Sequence, residues 1–151
     1  TCLKDGSKCY VGLRKANAVG VIDMAKLELM KTIETGPDAN RLYLNPGNSR
    51  YGLFANEAGK SDIVSIIDTQ LDVKVKDIWT GLGPHNVAFD PDGKFAVIST
   101  KKENVATLVD TGSADPNDWD VITTDLDSGI QNNGVRWVPS PAALKKALAQ
   151  N

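Results

Sequence analysis

The sequence repeats itself with a period of roughly 45 residues, and this repeat restricts the possible folds more than any other feature. One marker, a glycine that opens a similar stretch, stands at Gly36, Gly83 and Gly129, 47 and then 46 residues apart. A second marker, an apolar run that ends in an aspartate, closes at Asp23, Asp68 and Asp110, 45 and then 42 residues apart. Two independent markers with one period indicate a chain built from repeated structural units.

Each copy contains short apolar runs that are typical of β-strands. In the second copy they are residues 41–45, 51–56, 62–68 and 73–79, and in the third copy 86–90, 95–100, 104–110 and 119–124. The first copy supplies the end of one inner strand and then residues 9–13, 18–23 and 29–34. Four strands in about 40–50 residues predict the blade of a β-propeller, so we expect an all-β chain of four-stranded antiparallel repeats that forms part of a ring.

The repeat divides the chain into blades and a tail. We expect a partial blade at 1–36, complete blades at 37–82 and 83–128, and the inner strand of a further blade at 129–139. The last segment, 140–151, begins with Ser140 and Pro141, which are suited to the N-cap and first position of a helix. This segment is therefore predicted to be a short C-terminal helix.

The turn between the first two strands of the third copy carries the sequence Asp90-Pro91-Asp92-Gly93, in which Pro suits the first corner and Gly can supply a positive φ. With the Pro-initiated inner strand, the V-x-VID third strand and the apolar fourth strand, this pattern resembles the YVTN-type β-propeller repeat over residues 1 to 139. The second copy departs from it with a longer turn at 45–50, and the first begins inside it at 3–8. The resemblance implies a propeller, a fold that hosts binding scaffolds and several unrelated enzymes.

The strand count predicts that further blades complete the ring. The start of the chain lacks an inner strand for its first blade, and the end supplies an inner strand without a blade. The missing blades lie either on a longer chain or on a second copy, in a homo-oligomer in which the last strand of one subunit completes the first blade of the next.

Composition gives no support to a nucleic-acid partner or to a membrane span. The formal charge is −2 and the isoelectric point is about 5.3, which does not favour nucleic-acid binding. The sequence has no run of about 18 apolar residues, so no membrane span is predicted.

Two cysteines flank the first turn. If Asp5-Gly6 forms a two-residue hairpin turn, Cys2 faces Cys9 across the strand pair, close enough for a disulfide after a local adjustment. The alternative is a pair of small buried apolar residues. A disulfide would place the protein outside the cytoplasm, in the periplasm or secreted.

His85 is the single histidine and precedes an inner strand, near the expected mouth of the central channel. The candidate ligand-binding residues there are His85, Asn86, Asp38 and Asn132; Asp38 and either Gln131 or Asn132 are the counterparts of His85 in the neighbouring copies. The placement of His85 resembles that in propeller metalloenzymes such as nitrous oxide reductase and in haem-binding propellers of the nitrite reductase type. Those sites collect several histidines, so one histidine does not build a copper cluster unless other chains contribute.

No nucleophile and base pair is visible in the sequence, so catalytic residues are not predicted. The expected function is an extracytoplasmic binding or scaffold module without a cofactor, part of a larger propeller. The alternative is part of a propeller oxidoreductase that holds copper or haem over the channel, with His85 as its contribution.

Overall fold

The computed structural model describes residues 1–58, 60–103 and 105–127, which form strands and two short 3₁₀ turns. The first strands are β1 (Lys8–Leu13), β2 (Ala18–Asp23) and β3 (Glu28–Glu34); the next four are β4 (Ala39–Leu44), β5 (Tyr51–Asn56), β6 (Ile63–Asp68) and β7 (Val73–Trp79); the last four are β8 (Pro84–Phe89), β9 (Phe95–Thr100), β10 (Val105–Asp110) and β11 (Asp120–Asp127). The 3₁₀ turns are Arg14–Ala16 and Pro116–Asp118.

The strands form three antiparallel sheets, each in chain order: β1-β2-β3, β4-β5-β6-β7 and β8-β9-β10-β11. We call them blades one, two and three. In blade one a bridge between Cys2 and Cys9 places the first residues beside β1, where an inner strand would run. The predicted all-β partial propeller is confirmed, and the predicted inner strand 129–139 and helix 140–151 lie outside the described residues.

The strand pattern predicted most strand boundaries to within a residue or two, and β11 is the main exception. It was expected at 119–124 but runs from Asp120 to Asp127: Trp119 closes the preceding turn, and two register shifts against β10 carry the pairing on to Val105 with Asp127. The indole nitrogen of Trp119 donates a hydrogen bond to the Ser113 carbonyl at 2.9 Å, so this side chain is held by the loop before the strand begins.

The aspartates that end β2, β6 and β10 each shape the turn that follows. A carboxylate oxygen of Asp68 accepts backbone hydrogen bonds from Gln70 at 2.9 Å and Leu71 at 3.0 Å. Asp23 accepts from Ala25 and Lys26 in the same way, and Asp110 accepts from Gly112. An aspartate that satisfies backbone N–H groups two and three residues later favours a tight turn, which explains the recurring apolar run ending in Asp.

The first hairpin corrects one detail of the sequence analysis. The Gly6 N–H donates to the Leu3 carbonyl at 3.0 Å and the Leu3 N–H donates to Lys8 at 2.9 Å, so Lys4 and Asp5, not Asp5 and Gly6, form the corners. Gly6 follows with φ of +72°, a conformation that glycine adopts without a Cβ penalty. Cys2 still faces Cys9, because the loop changes length by two residues and preserves the register.

The blades pack face to face through two apolar layers. Between blades one and two lie Tyr10, Val19, Val21, Leu42, Phe54 and Ile67, all buried. Between blades two and three lie Leu53, Val64, Ile66, Val87, Ile98 and Trp119, and the ring of Trp119 meets Tyr51 edge to face at 5.9 Å. Each such buried side chain contributes about 1.5–3 kcal/mol, so these layers hold the blades together.

No helix in the described part of the chain is long and apolar enough to cross a membrane.

Candidate functional site

Three charged residues occupy equivalent positions in the three blades. Arg14, Glu57 and Lys101 each directly follow the same strand of the repeat, which is β5 in blade two, β9 in blade three and β1 in blade one, where the first residues take the place of an inner strand. They are 43 and then 44 residues apart and alternate in charge as cation, anion and cation. Because neighbouring blades pack side by side, this position brings the three side chains together at one end of the strands.

Glu57 is the centre of this cluster. Its side chain is 8% exposed, and one oxygen, Oε1, pairs with Lys101 and lies 3.2 Å from Nδ1 of His85. The other oxygen, Oε2, accepts from Asn40 Nδ2 at 2.6 Å and lies 3.5 Å from an Arg14 guanidinium nitrogen. A buried carboxylate is costly unless it is paired and hydrogen-bonded, and here both oxygens have partners.

Arg14 also binds Asp38 in a forked arrangement. Its Nε and Nη2 atoms donate to the two Asp38 carboxylate oxygens at 2.5 and 2.6 Å. Hydrogen bonding to this guanidinium lowers the pKa of Asp38 below its ordinary value. The backbone N–H of Asp38 donates to Asn17 Oδ1 at 3.1 Å, so Asp38 is fixed between two groups of blade one.

The register shows that Asn40, not Asp38, is the counterpart of His85. The first pairs of the inner strands are Ala39 with Asn56 in blade two and Pro84 with Thr100 in blade three. The next residues are therefore Asn40 and His85, and both side chains approach Glu57. Asp38 instead matches Gly83, and the two share a positive φ of +60° and +69°. The sequence alignment started from Gly36-Pro37, and the second copy has two more residues before its inner strand.

His85 is held as a neutral imidazole at neutral pH. Burial lowers its pKa below the ordinary value of 6.5; the Glu57 carboxylate acts in the opposite direction, and the positive charges of Lys101, Arg41 and Arg14 lower the pKa further. Its Nδ1 is buried and near Glu57 without hydrogen-bond geometry, while about a fifth of the side chain, 21%, remains accessible.

Tyr43 and Asn86 join the same end of the inner strands. The Tyr43 hydroxyl donates to Asn86 Oδ1 at 2.6 Å, linking blades two and three. Burial raises the pKa of this hydroxyl, so it remains a donor at neutral pH. Asn86 is thus engaged within the cluster, whereas Asn132, the fourth predicted ligand residue, lies outside the described residues.

An open cleft of about 460 Å³ runs over this cluster. Its lining contains three cationic side chains, Arg14, Arg41 and Lys101, and a single carboxylate, Glu57. Arg41 is exposed, and among the described residues it forms no ion pair with a carboxylate. The cleft is therefore cationic, although the chain as a whole is anionic.

The described residues do not assemble a metal site of their own. Within residues 1–58, 60–103 and 105–127 there is no group of three or more His, Cys, Asp or Glu side chains that could hold a metal ion. A copper cluster does not fit this ligand set. A metal or haem at the channel mouth would find His85 as the available imidazole, with the Glu57 carboxylate behind its Nδ1.

Cys2 and Cys9 are joined by a disulfide in the structure. Cys9 lies near the start of β1, at the opposite end of this strand from Arg14. The disulfide therefore fastens the first residues to blade one and takes no part in the cleft.

Of the residues in this cluster, His85, Asn86 and Asp38 were predictable from the sequence, whereas Glu57, Arg14, Lys101 and Asn40 were not predicted. The charged trio lies in loops without a recognisable motif. Its signal was the spacing of 43 and 44 residues, the same period as the repeat. Aligning the residues that follow the corresponding strand of each repeat would have revealed opposite charges at one structural position.

Several solved structures resemble the fold of this chain. Hydrazine synthase of Kuenenia stuttgartiensis superposes with a TM-score of 0.68 at 24% identity, over 81% of this chain and 34% of that one. A dihydro-haem d1 dehydrogenase in complex with DHE gives 0.66 at 18% identity, over 88% and 28%. A candidate 6-phosphogluconolactonase from Bacteroides fragilis gives 0.67 at 21% identity, over 86% and 39%. The fold is a β-propeller.

These similarities concern the fold, since their identities are low and their chemistries differ. This chain spans only about a third of the length of the solved proteins it matches, from 28% to 39%. No protein-family model matches the sequence, and no curated protein matches it either.

Proposed function

We propose that this chain is part of an extracytoplasmic β-propeller of the YVTN type that binds a small polar ligand in the cleft at the channel mouth. The observation that carries the proposal is the meeting of Arg14, Glu57 and Lys101, one from each blade, beneath an accessible imidazole. A purely structural blade contact would be served by apolar packing. A buried carboxylate paired with Arg14 and Lys101 is costly to assemble, and ionisable groups gathered in a cleft are candidates for a functional site.

Further blades complete the ring in this proposal. Val11 and Leu29 are 42% and 57% exposed, and both approach Gly20 on the face of blade one that points away from blade two. An apolar sheet face of this kind suits another blade, supplied by a longer chain or by a second copy. The solved proteins that this chain resembles are two to three times as long, which supports the first source.

The Cys2–Cys9 disulfide supports extracytoplasmic location. Structural disulfides persist in oxidising compartments and are rare in the cytosol. Thiol titration of denatured protein purified without reductant tests this part of the proposal.

A thermal-shift screen of the purified chain against small polar compounds tests the binding role. We expect at least one compound to raise the melting temperature, because a ligand that binds only the folded state stabilises it. The shift should be lost in His85→Asn and kept in Ser7→Ala, a change at the opposite end of blade one. Equal shifts in both variants would contradict binding at the channel mouth.

One observation favours the second candidate, part of a propeller oxidoreductase. A histidine that ligates a metal commonly has a carboxylate beside its other ring nitrogen, and Glu57 lies 3.2 Å from Nδ1 of His85. A metal analysis and a visible absorption spectrum of the purified protein, with His85→Ala as the comparison, distinguish the two functions. Metal or haem bound by the wild type and lost in the variant would favour the oxidoreductase.

A further inference from the structure

We propose that the channel-mouth cleft selects a small organic anion with a carboxylate or phosphate group, and that Arg41 is its principal anchor. The proposal rests on the binding role above and adds the class of ligand.

The lining carries an excess of positive charge. Of the three cations, Arg14 is balanced by Asp38 and Lys101 by Glu57, so one positive charge remains in excess, and burial lowers the pKa of His85 so that the imidazole adds none at neutral pH. A cleft with a net positive charge attracts anions and raises their local concentration. This excess contrasts with the formal charge of −2 for the whole chain, so it is a local property of the cleft.

The cations differ in availability. Arg14 is occupied by Asp38 through two hydrogen bonds, and Lys101 is paired with Glu57. Arg41, on β4, is exposed and lines the cleft; its side chain contacts the neutral Tyr43 hydroxyl, and the described residues give it no carboxylate partner. A guanidinium offers a planar fork that matches a carboxylate or phosphate.

Glu57 determines how the remaining donors are placed. By pairing with Lys101 and accepting from Asn40, it fixes both side chains at the base of the cleft. Neutral donors and a fixed ammonium can then orient the polar remainder of a ligand whose charged end meets Arg41. A cleft of about 460 Å³ accommodates a small molecule of this kind.

Isothermal titration of the 151-residue chain with malonate and with inorganic phosphate tests the inference, with malonamide as the uncharged counterpart of malonate. We expect one or both anions to bind and malonamide not to bind. Arg41→Gln should weaken anion binding roughly tenfold or more, since hydrogen bonds to charged groups are the strong ones. Preference between malonate and phosphate identifies which anionic group the cleft favours.

Lys26→Gln is the matched control, because it removes the same charge from an exposed side chain in the turn between β2 and β3, at the other end of the blade. It should leave the affinity within about twofold, since distant exposed charges are screened by salt. Arg41→Lys keeps the charge but lacks the planar fork of the guanidinium. Its affinity for the anion should lie between those of the wild type and Arg41→Gln. Unfolding midpoints equal to wild type confirm that each variant folds.

Three results would overturn the inference, and they differ in what else they overturn. Binding of malonamide or another neutral compound that requires His85, without anion binding, shows that the ligand class is wrong and leaves the binding role intact. Failure of both the anions and the compound screen removes the ligand class and the binding role together. Equal weakening in Arg41→Gln and Lys26→Gln would show a general charge effect and reject Arg41 as the anchor.

Discussion

The Glu57 carboxylate lies 3.2 Å from Nδ1 of His85, although the two residues belong to neighbouring blades. The same carboxylate pairs with Lys101 of blade three and approaches Arg14 of blade one. A single side chain therefore links the packing of three blades with the geometry of the cleft. Changes at Glu57 should alter both stability and the electrostatic environment of His85.

Glu57→Gln should lower the pKa of His85 further. Burial and the cations Lys101, Arg41 and Arg14 lower this pKa, and the Glu57 charge raises it. Because His85 is the sole histidine of the sequence, an NMR titration of imidazole signals reports on it without assignment by mutation. Glu28→Gln, an exposed carboxylate on β3, should leave the titration unchanged. An unchanged or raised pKa in Glu57→Gln would show that the two side chains do not interact in solution.

Stability should fall on mild acidification because of His85. Its pKa is below 6.5 in the folded state, so the unfolded chain binds the proton more readily. The destabilisation caused by this protonation is absent well above pH 6.5. It grows as the pH falls through 6.5 toward the pKa of His85 in the folded state.

Urea unfolding at about pH 7.5 and about pH 5.5 measures this loss. His85→Asn places at this position the residue that blade two carries as Asn40, and it should show a smaller drop between the two pH values. Identical drops in the two proteins would mean that the pKa of His85 is not lowered by folding.

Two glycines offer a test of the contact between blades. Gly6 and Gly93 occupy equivalent turn positions with φ of +72° and +70°, so alanine should cost each about 1–2 kcal/mol through the left-handed conformation alone. A Cβ at Gly6 meets no atom within 4 Å, whereas a Cβ at Gly93 collides with Asn45 Oδ1 of blade two. Asn45 is buried and donates to the Gly93 carbonyl at 2.7 Å.

Gly93→Ala should therefore destabilise the protein by roughly 2 kcal/mol more than Gly6→Ala, since it also disturbs a buried hydrogen bond. Chemical denaturation of both variants gives the comparison. Equal losses would indicate that the turns of blades two and three are not in contact.

The fold was predictable because each level of the sequence agreed with the others. The aspartates that end β2, β6 and β10 recur since each one organises a turn, and this requirement leaves a periodic trace. Positions in the site obey weaker local rules. Arg14, Glu57 and Lys101 interact only through blade packing, so no local constraint gives them a shared residue type.

The misplaced counterpart of His85 has a similar cause. Gly83 and Asp38 both adopt a positive φ at the entry to an inner strand, but the sequence marks this conformation with glycine in one blade only. Asn40 becomes recognisable once the pairing of Ala39 with Asn56 fixes the register. Strand register depends on both paired strands, whereas a comparison of the repeats in the sequence considers each inner strand alone.

The disulfide should contribute measurably to stability. In the chain-entropy description, closing the short loop between Cys2 and Cys9 stabilises the folded state by about 2–3 kcal/mol. The double variant Cys2→Ser, Cys9→Ser should lower the unfolding free energy by about this amount, and reductant should shift the wild type to the same value. Two free thiols in protein purified without reductant would remove the argument for export.

The mass of the chain in solution tests the propeller account most directly. Val11 and Leu29 mark an exposed apolar face on blade one, and we propose that another blade covers it. Light scattering on the 151-residue chain should therefore report self-association, with a mass above the 16.2 kDa of a single copy. A stable, non-aggregating monomer of 16.2 kDa would contradict the account and require a smaller closed β-structure.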